Sequence, residues 1–522
     1  MGAIPTAAFL PEALVLASTL LVFLADVLGA RRRRVFGTLS VVLWAAAFLS
    51  ILGELGVPGL VVLNTLPGSL LNAPASGPIA FTSLGLVFQG LFLGVGLLVG
   101  ISSLSDEEDD PGVAVFYALM GLALLGMMLV ALSADLIFLL LSVEITSIST
   151  YVLVGYSRRE SRALEAAMKF YIIGALSTAI SFFGASLLYG AYGTTALAAF
   201  AFPPAGGMDN LALVGFGLLM VGLGFKLTLV PFHMWAVDVY DGAPSTISAF
   251  LSAGSKKMGL FAFFVVFIAV IHVFSAAQGW ALSLALGGLA VITMTVGNLQ
   301  ALQQQTMKRL LAYSSISQAG YLLLGVAVGT PAALSGATLL AIAHVLMKGG
   351  AFVVVAAAAA VGVGAKIDDY RSLGRRLPLT AISFALLLLS LAGIPLTLGF
   401  VGKFYLFASA VQLGGGWFVF LAVAGLLNSA VSVFYYGRVL RIMYMSDGPS
   451  EGSTPRPLSA SVRGVANAPS RGRLREEWAL VGGARLTVIV GCAVLTVVLG
   501  VYPTPLVHFL NGAAQSFLRL GY

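Results

Sequence analysis

Long apolar runs alternate with short polar or glycine-rich connections from one end of the chain to the other. The runs lie near residues 7–29, 35–52, 79–102, 113–132, 134–155, 168–190 and 211–230, and then near 246–271, 280–300, 310–328, 332–361, 378–412, 417–440 and 485–507. A helix takes about 20 apolar residues to cross a hydrocarbon core of about 30 Å. Lipid offers no partner to a free N–H or C=O, so runs of this length are read as helices. The pattern therefore predicts an all-α, polytopic membrane protein with about fourteen transmembrane helices.

Two runs carry a break. The stretch GLGFKLTLVPFHMWAVDVYDGAPSTISAFLSAGSKKMG, Gly222 to Gly259, begins inside the run 211–230, which holds one lysine, Lys226. Pro231 follows five residues later and removes a backbone N–H from the helical ladder. A polar turn with Asp238, Asp241, Gly242 and Pro244 then leads into a run carrying Lys256 and Lys257. The second break lies at Ala392-Gly393-Ile394-Pro395, with Lys403 just beyond it. Freed backbone groups at membrane depth find partners only in protein or around trapped water. An intramembrane charge adds roughly 2.5–3.5 kcal/mol on insertion scales. Broken helices in corresponding positions of two halves point to an internal duplication and to a transport site.

Composition agrees with this class and narrows the partners. The chain has 522 residues, 59% of them hydrophobic and 9% charged, with a mean hydropathy of +1.00. Its net charge of +7 reflects the distribution of basic residues between loops rather than a nucleic-acid surface. Arg31 to Arg34, then Arg158, Arg159 and Arg162, then Lys308 and Arg309, then Lys366, Arg371, Arg375 and Arg376, and finally Arg456 to Arg475 all follow odd-numbered spans. The connections 53–78, 191–210 and 272–279 hold no Lys or Arg. One topology satisfies all of these, with both termini outside and the basic loops in the cytoplasm. The acidic run Asp106 to Asp110 also falls inside, which the rule tolerates. Pro11 and Glu12 interrupt the first run and no base precedes it, so no cleavable signal is expected. Residues 446–476, rich in Ser, Pro, Gly and Arg, read as a flexible cytoplasmic loop. The single cysteine, Cys492, excludes a disulfide framework and a cysteine-held cluster, and the four histidines show no haem-ligating pair. No cofactor or metal site is expected in this chain.

The basic residues divide by type. Arginines lie almost entirely in loops or at span ends, whereas Lys226, Lys256, Lys257, Lys348 and Lys403 lie inside spans and Lys169 at the start of one. Arginine keeps its proton under ordinary conditions, while a buried lysine can release it. Lys226, Lys256 and Lys403 are the central amines; Lys169 and Lys257 sit where a lysine can snorkel to a helix end. Glu144, in FLLLSVEITSISTYVLVGY, is the intramembrane acid that matches them. His344 and Lys348, four apart in AHVLMKGGAF, share a helix face and make a candidate proton relay. His233, just after the first break, is read either as a relay or as a helix terminator.

Four segments carry a family resemblance. They are VPFHMWAVDVYDGAPSTISAFLSAGSKKMG, LLSVEITSISTYVLVGYSRRESRALEAAMKFYIIGALSTAISFFGASLLYG, MKRLLAYSSISQAGY and GIPLTLGFVGKFYLF. Together they resemble subunit N of the proton-pumping NADH–quinone oxidoreductase, respiratory complex I, over about residues 80–441. The resemblance implies two inverted five-helix repeats, each with a broken helix, at 111–271 and 280–441. They follow a three-helix region at 1–110 and precede a loop at 442–484 and a C-terminal helix and tail at 485–522. It implies a charged pair of Glu144 and Lys169, Lys226 as the pumping amine, Lys256 as the connecting amine and Lys403 as the second-half amine. GFVGKFYLF favours the N type, while AHVLMKGGAF is closer to its paralogues and adds a titratable step at His344 and Lys348. NADH, FMN, iron–sulfur clusters and quinone would belong to other subunits, with antiporter-like paralogues as neighbours in a bacterial inner membrane.

The expected mechanism is proton conduction through two half-channels joined by lysines and water. Moving one charge against about 150 mV costs roughly 3.5 kcal/mol, which asks for a change of about 2.5 in an amine's pKa. The rival readings are a subunit of a multisubunit cation/proton antiporter, an M-type paralogue, a purely structural subunit and a solute permease.

Overall fold

The computed structural model describes residues 6–29, 33–57, 60, 65–73, 75, 77–106, 112–202, 204, 210–268, 270, 276–446 and 470–520. Arg31, Arg32, Glu107 to Asp110, His272 and the segment 447–469 of the expected loop lie outside the described residues.

Three helices open the chain: α1 (Leu10–Val27), α2 (Arg33–Glu54) and α3 (Ser83–Ser103). The first five-span repeat follows as α4 (Val113–Ala131), α5 (Leu136–Val154), α6 (Ser161–Tyr192), α7 (Asn210–Leu227) with α8 (Met234–Gly242), and α9 (Ser245–Phe267). The second is α10 (Ala276–Leu302), α11 (Met307–Val328), α12 (Pro331–Ala360), α13 (Pro378–Ala392) with α14 (Leu398–Leu413), and α15 (Gly416–Met445). Three helices end the chain: α16 (Ser470–Val481), α17 (Gly483–Val501) and α18 (Thr504–Arg519). Among the described residues, 13 helices are long and apolar enough to cross a membrane. The two shorter pieces α13 and α14 in series make one more crossing. Five spans is an odd number, so two consecutive repeats necessarily run in opposite directions.

The two breaks are built alike. The α7 ladder ends at Leu227; Thr228 takes φ 63°, in the left-handed region that β-branched residues avoid, ahead of Pro231. The α13 ladder ends at Gly393 with φ 88°; Pro395 and Leu396, with φ 70°, precede α14. Proline thus stops the ladder in both repeats. The freed groups are satisfied within protein: Val230 N–H donates to Thr293 Oγ1 at 3.1 Å, and Trp235 Nε1–H to Phe225 O at 3.3 Å. Stacking of Trp235 on Phe170 at 4.5 Å holds α8 against α6. Asp238 and Asp241 lie on α8, so the polar turn expected there is a short helix.

Helix ends follow their capping residues. Asp135 accepts from Ile137 N–H and Phe138 N–H at the start of α5, and Thr82 from Gly85 N–H at the start of α3. Close approach in the second repeat depends on glycine. A Cβ at Gly402 would lie 2.8 Å from Leu340 Cα, and one at Gly336 2.8 Å from Leu406 N, so α12 and α14 meet backbone to backbone.

Two parts of the expected organisation are corrected. Residues 470–481 form helix α16, although their polar composition reads as loop. Fully buried Glu477 on it accepts from Leu379 N–H at 3.1 Å, Thr380 N–H at 2.8 Å and Thr380 Oγ1 at 2.8 Å, capping α13. At the end of the chain, the tail beyond α17 is amphipathic helix α18, which buries Val507, Leu510, Ala514 and Phe517. Phe517 lies 6.1 Å, centroid to centroid, from Phe261 of α9.

Candidate functional site

Helix α5 supplies Glu144 and helix α7 supplies Lys226. Both line a cavity of ≈ 10 Å³ with Ser177, Thr178, Ser181 and Gly222, which is room for about one water. Lys226 is buried and donates to Ser147 Oγ at 2.5 Å, one turn along α5 from Glu144. Half-buried Glu144 accepts from Thr178 Oγ1 at 2.5 Å. The acid and the amine thus share one cavity and feel each other's charge, with a hydroxyl on each in place of a direct ion pair.

The pairing of Glu144 with Lys169 implied by the resemblance is not what the structure contains. Lys169 is 44% exposed and pairs with Glu165 at 2.9 Å and Asp238 at 3.0 Å. Asp238 also meets Arg309 at 3.5 Å. The physical reason is helix length. Thr178, which holds Glu144, lies nine residues beyond Lys169 on α6, and at 1.5 Å per residue that is about 13 Å along the axis.

Helix α9 carries the next two amines directly after a change in its winding. Leu251–Ser255 is a π turn, and Lys256 follows it directly. Such turns widen a helix and recur at functional positions. Lys256 is 1% exposed, its Nζ makes no hydrogen bond among the described residues, and it lies 5.3 Å over the Tyr240 ring. A cation–π contact offers about 0.5–2 kcal/mol, against a desolvation penalty of several kcal/mol for an ion. Of all the amines, this is where holding a charge is least compensated by protein. A Cβ at Gly259 would lie 3.3 Å from Lys226 Cβ, so α9 reaches the first amine within a turn of Lys256.

Lys257, read from sequence as a snorkelling residue, is fully buried. Its Nζ donates back to Ser252 O in the π turn at 2.6 Å and lies 2.5 Å from His344 Nδ1. Nothing local in the sequence signals this bond, because its two ends lie on different helices in different repeats. His344 Nε2 is buried without a hydrogen bond among the described residues.

His344 and Lys348 do not act on one face. Val345–Gly349 is likewise a π turn, and the two side chains take partners on different helices. Lys348 turns to α11, donating to Leu311 O at 3.2 Å and Ser314 Oγ at 2.5 Å, with the Tyr436 ring 6.0 Å away. Lys403, 3% exposed, donates to Leu391 O at 3.0 Å, Ala392 O at 3.3 Å and Ser429 Oγ at 2.8 Å. It therefore satisfies the last carbonyls of α13 at the second break, 4.8 Å over the Tyr321 ring. His233 precedes α8 as its N-cap residue without making a side-chain cap, half-buried and within electrostatic reach of Lys256.

The groups form one series. Lys256 lies within electrostatic reach of Lys257 and Lys348, Lys348 of Lys403, and His344 of all four. The series crosses both repeats, and its polar contacts are hydroxyls, carbonyls and imidazole rather than counter-ions. Among the described residues no group of three or more His, Cys, Asp or Glu has a metal-holding arrangement.

Residues 133–428 match the family model described as NADH:quinone oxidoreductase/Mrp antiporter, TM. The F(420)H(2) dehydrogenase subunit N of Methanosarcina mazei is 41% identical over 85% of this chain and 90% of its own length. The NADH-quinone oxidoreductase subunit N of Trichlorobacter lovleyi is 39% identical over 78% of this chain and 82% of its own. Among solved structures, a chain of respiratory complex I from Thermus thermophilus with bound Aureothin superposes with a TM-score of 0.74 at 29% identity. That alignment covers 95% of this chain and 98% of the other.

Proposed function

This chain belongs to the NADH:quinone oxidoreductase/Mrp antiporter membrane family, and from that premise we propose that it is a proton-translocating membrane subunit of the N type in a quinone-reducing complex. The observation that carries the reading is the buried series from Glu144 and Lys226 through Lys256, Lys257, His344 and Lys348 to Lys403. A purely structural subunit has no use for five buried amines that form no direct ion pair among the described residues. Redox chemistry, with NADH, FMN, iron–sulfur clusters and quinone, is assigned to other subunits. The donor differs between relatives, one of which is an F(420)H(2) dehydrogenase subunit, and it does not bear on the residues described here. The proposed setting is a bacterial inner membrane beside antiporter-like paralogues, with both termini outside, a reading that rests on the basic loops.

In this reading Glu144 is the moving part. Held by Thr178, it leaves Lys226 to Ser147; turned toward Lys226 within their shared cavity, it adds a counter-charge. An opposite charge at about 4 Å is worth roughly 4 kcal/mol at an effective dielectric of 20. That matches the roughly 3.5 kcal/mol needed to move a charge against about 150 mV. Lys169, tied to Asp238 and Glu165, anchors α6 to α8 instead of exchanging partners with Glu144.

Three replacements separate charge from proton exchange. Lys226→Ala removes both, Lys226→Arg keeps the charge without a releasable proton, and Glu144→Gln removes the modulating carboxylate. All three are expected to impair NADH-driven acidification of inverted membrane vesicles, with ferricyanide reductase activity retained as the sign of an assembled complex. Near-normal acidification with Arg at 226 would leave Lys226 a structural counter-ion and sink the carrier role.

A further inference from the structure

A buried acid–amide pair lies outside the series of amines, in the three N-terminal helices. Glu12 stands in the first turn of α1 and is 6% exposed. Gln89 on α3 is 1% exposed and donates from Nε2 to Glu12 Oε1 at 2.7 Å. The remaining oxygens of the pair, Glu12 Oε2 and Gln89 Oε1, are buried and accept no hydrogen bond among the described residues. Glu12's own backbone N–H lies near the carboxyl without bonding to Oε2. Two buried acceptors without a donor are a costly arrangement. A proton on Oε2 removes the deficit, since a carboxylic acid donates where a carboxylate only accepts. Amide and acid then complement each other with a hydrogen bond in each direction.

The groups facing this pair fit a carrier. Gln89 Nε2 also approaches Met128 O on α4 at 3.5 Å. Glu54, the last residue of α2, is 5% exposed, lies within electrostatic reach of Glu12 and accepts from Thr65 Oγ1 of the following connection at 3.2 Å. No basic side chain pairs with either acid among the described residues. Glu12 begins α1, Glu54 ends α2 and Gln89 lies near the start of α3, so the three share the end of the bundle served by loop 53–78, which has no Lys or Arg. Helix α9 packs beside this pair: Phe88, next to Gln89, lies 4.9 Å from Phe261 and 5.9 Å from Phe264, ring centroid to ring centroid. Phe261 lies four residues beyond Lys257, about 6 Å along that helix.

We propose that Glu12, held by Gln89, is a proton-carrying carboxyl that exchanges its proton with the surface through Glu54 during translocation. The proposal rests on the translocation reading above. Glu12→Gln is the decisive variant, because an amide reproduces the hydrogen bonds of the protonated acid and cannot exchange the proton. In the intact complex the expected result is a several-fold loss of acidification in inverted vesicles with ferricyanide reductase retained. Infrared difference spectra between reduced and oxidised complex are expected to lose a deuterium-sensitive carboxylic-acid C=O band. Wild-type acidification in Glu12→Gln, with Lys226→Ala impaired in the same assay, overturns this proposal alone; normal acidification in Lys226→Ala overturns the translocation reading instead. Should Glu12→Gln not assemble, Glu54→Gln decides: slowed acidification supports the route, and an unchanged rate removes it.

Discussion

Single residues in this membrane domain are best understood by what each would strand if removed. Lys257 is the sharpest case, because a helix-end lysine that reaches water is dispensable, whereas this one is buried between Ser252 O and His344 Nδ1. Replacing it by Met keeps the chain length and leaves a carbonyl and an imidazole nitrogen without their donor. Each stranded group costs about 1–3 kcal/mol. Lys257→Met is expected to assemble and to pump well below the wild-type rate, measured as vesicle acidification per NADH oxidised. An unchanged ratio would return Lys257 to a packing role. Lys169 carries the opposite lesson. Its charge is matched by two exposed carboxylates, and exposed pairs of this kind add little to stability.

At the scale of the helix, function sits where regular winding stops. Both broken spans, α7–α8 and α13–α14, place a lysine beside the break, and both central helices, α9 and α12, carry a π turn at their titratable groups. The second broken span also carries a cap from far along the chain: Glu477 of α16 closes the N-terminus of α13 through two N–H groups and a hydroxyl. Loss of a capping side chain costs about 0.5–2 kcal/mol. Glu477→Ala should therefore lower the melting temperature of the purified complex while leaving the amine series intact. A variant complex that melts with the wild type would show that α13 is held by packing alone.

Across the whole molecule the described helices enclose one continuous series of polar groups shared by two repeats of opposite direction. The segment 450–469 lies outside the described residues, and its composition holds few of the bulky apolar residues needed to pack. Deleting it is expected to leave the level of assembled complex and the acidification rate near wild type. Extending the deletion to residue 481 removes Glu477 with α16 and should reduce assembly, read as complex recovered from membranes. Loss of assembly with the shorter deletion would identify 450–469 as a docking element.

The sequence by itself determined the span pattern, the two breaks, the separation of arginine from lysine and the burial of Lys226, Lys256 and Lys403. Each of these follows from local rules: run length against bilayer thickness, proline against the helical ladder, and the cost of charge in hydrocarbon. Only the tertiary structure decided which side chains meet. It gave Glu144 to Thr178, Lys169 to Asp238, Lys257 to His344, Glu12 to Gln89 and Glu477 to the start of α13. Those contacts join residues up to 98 positions apart, across helices whose surfaces are apolar nearly all round. Such helices carry little local signal for which face turns inward, so their rotation is set by the packing of the whole bundle.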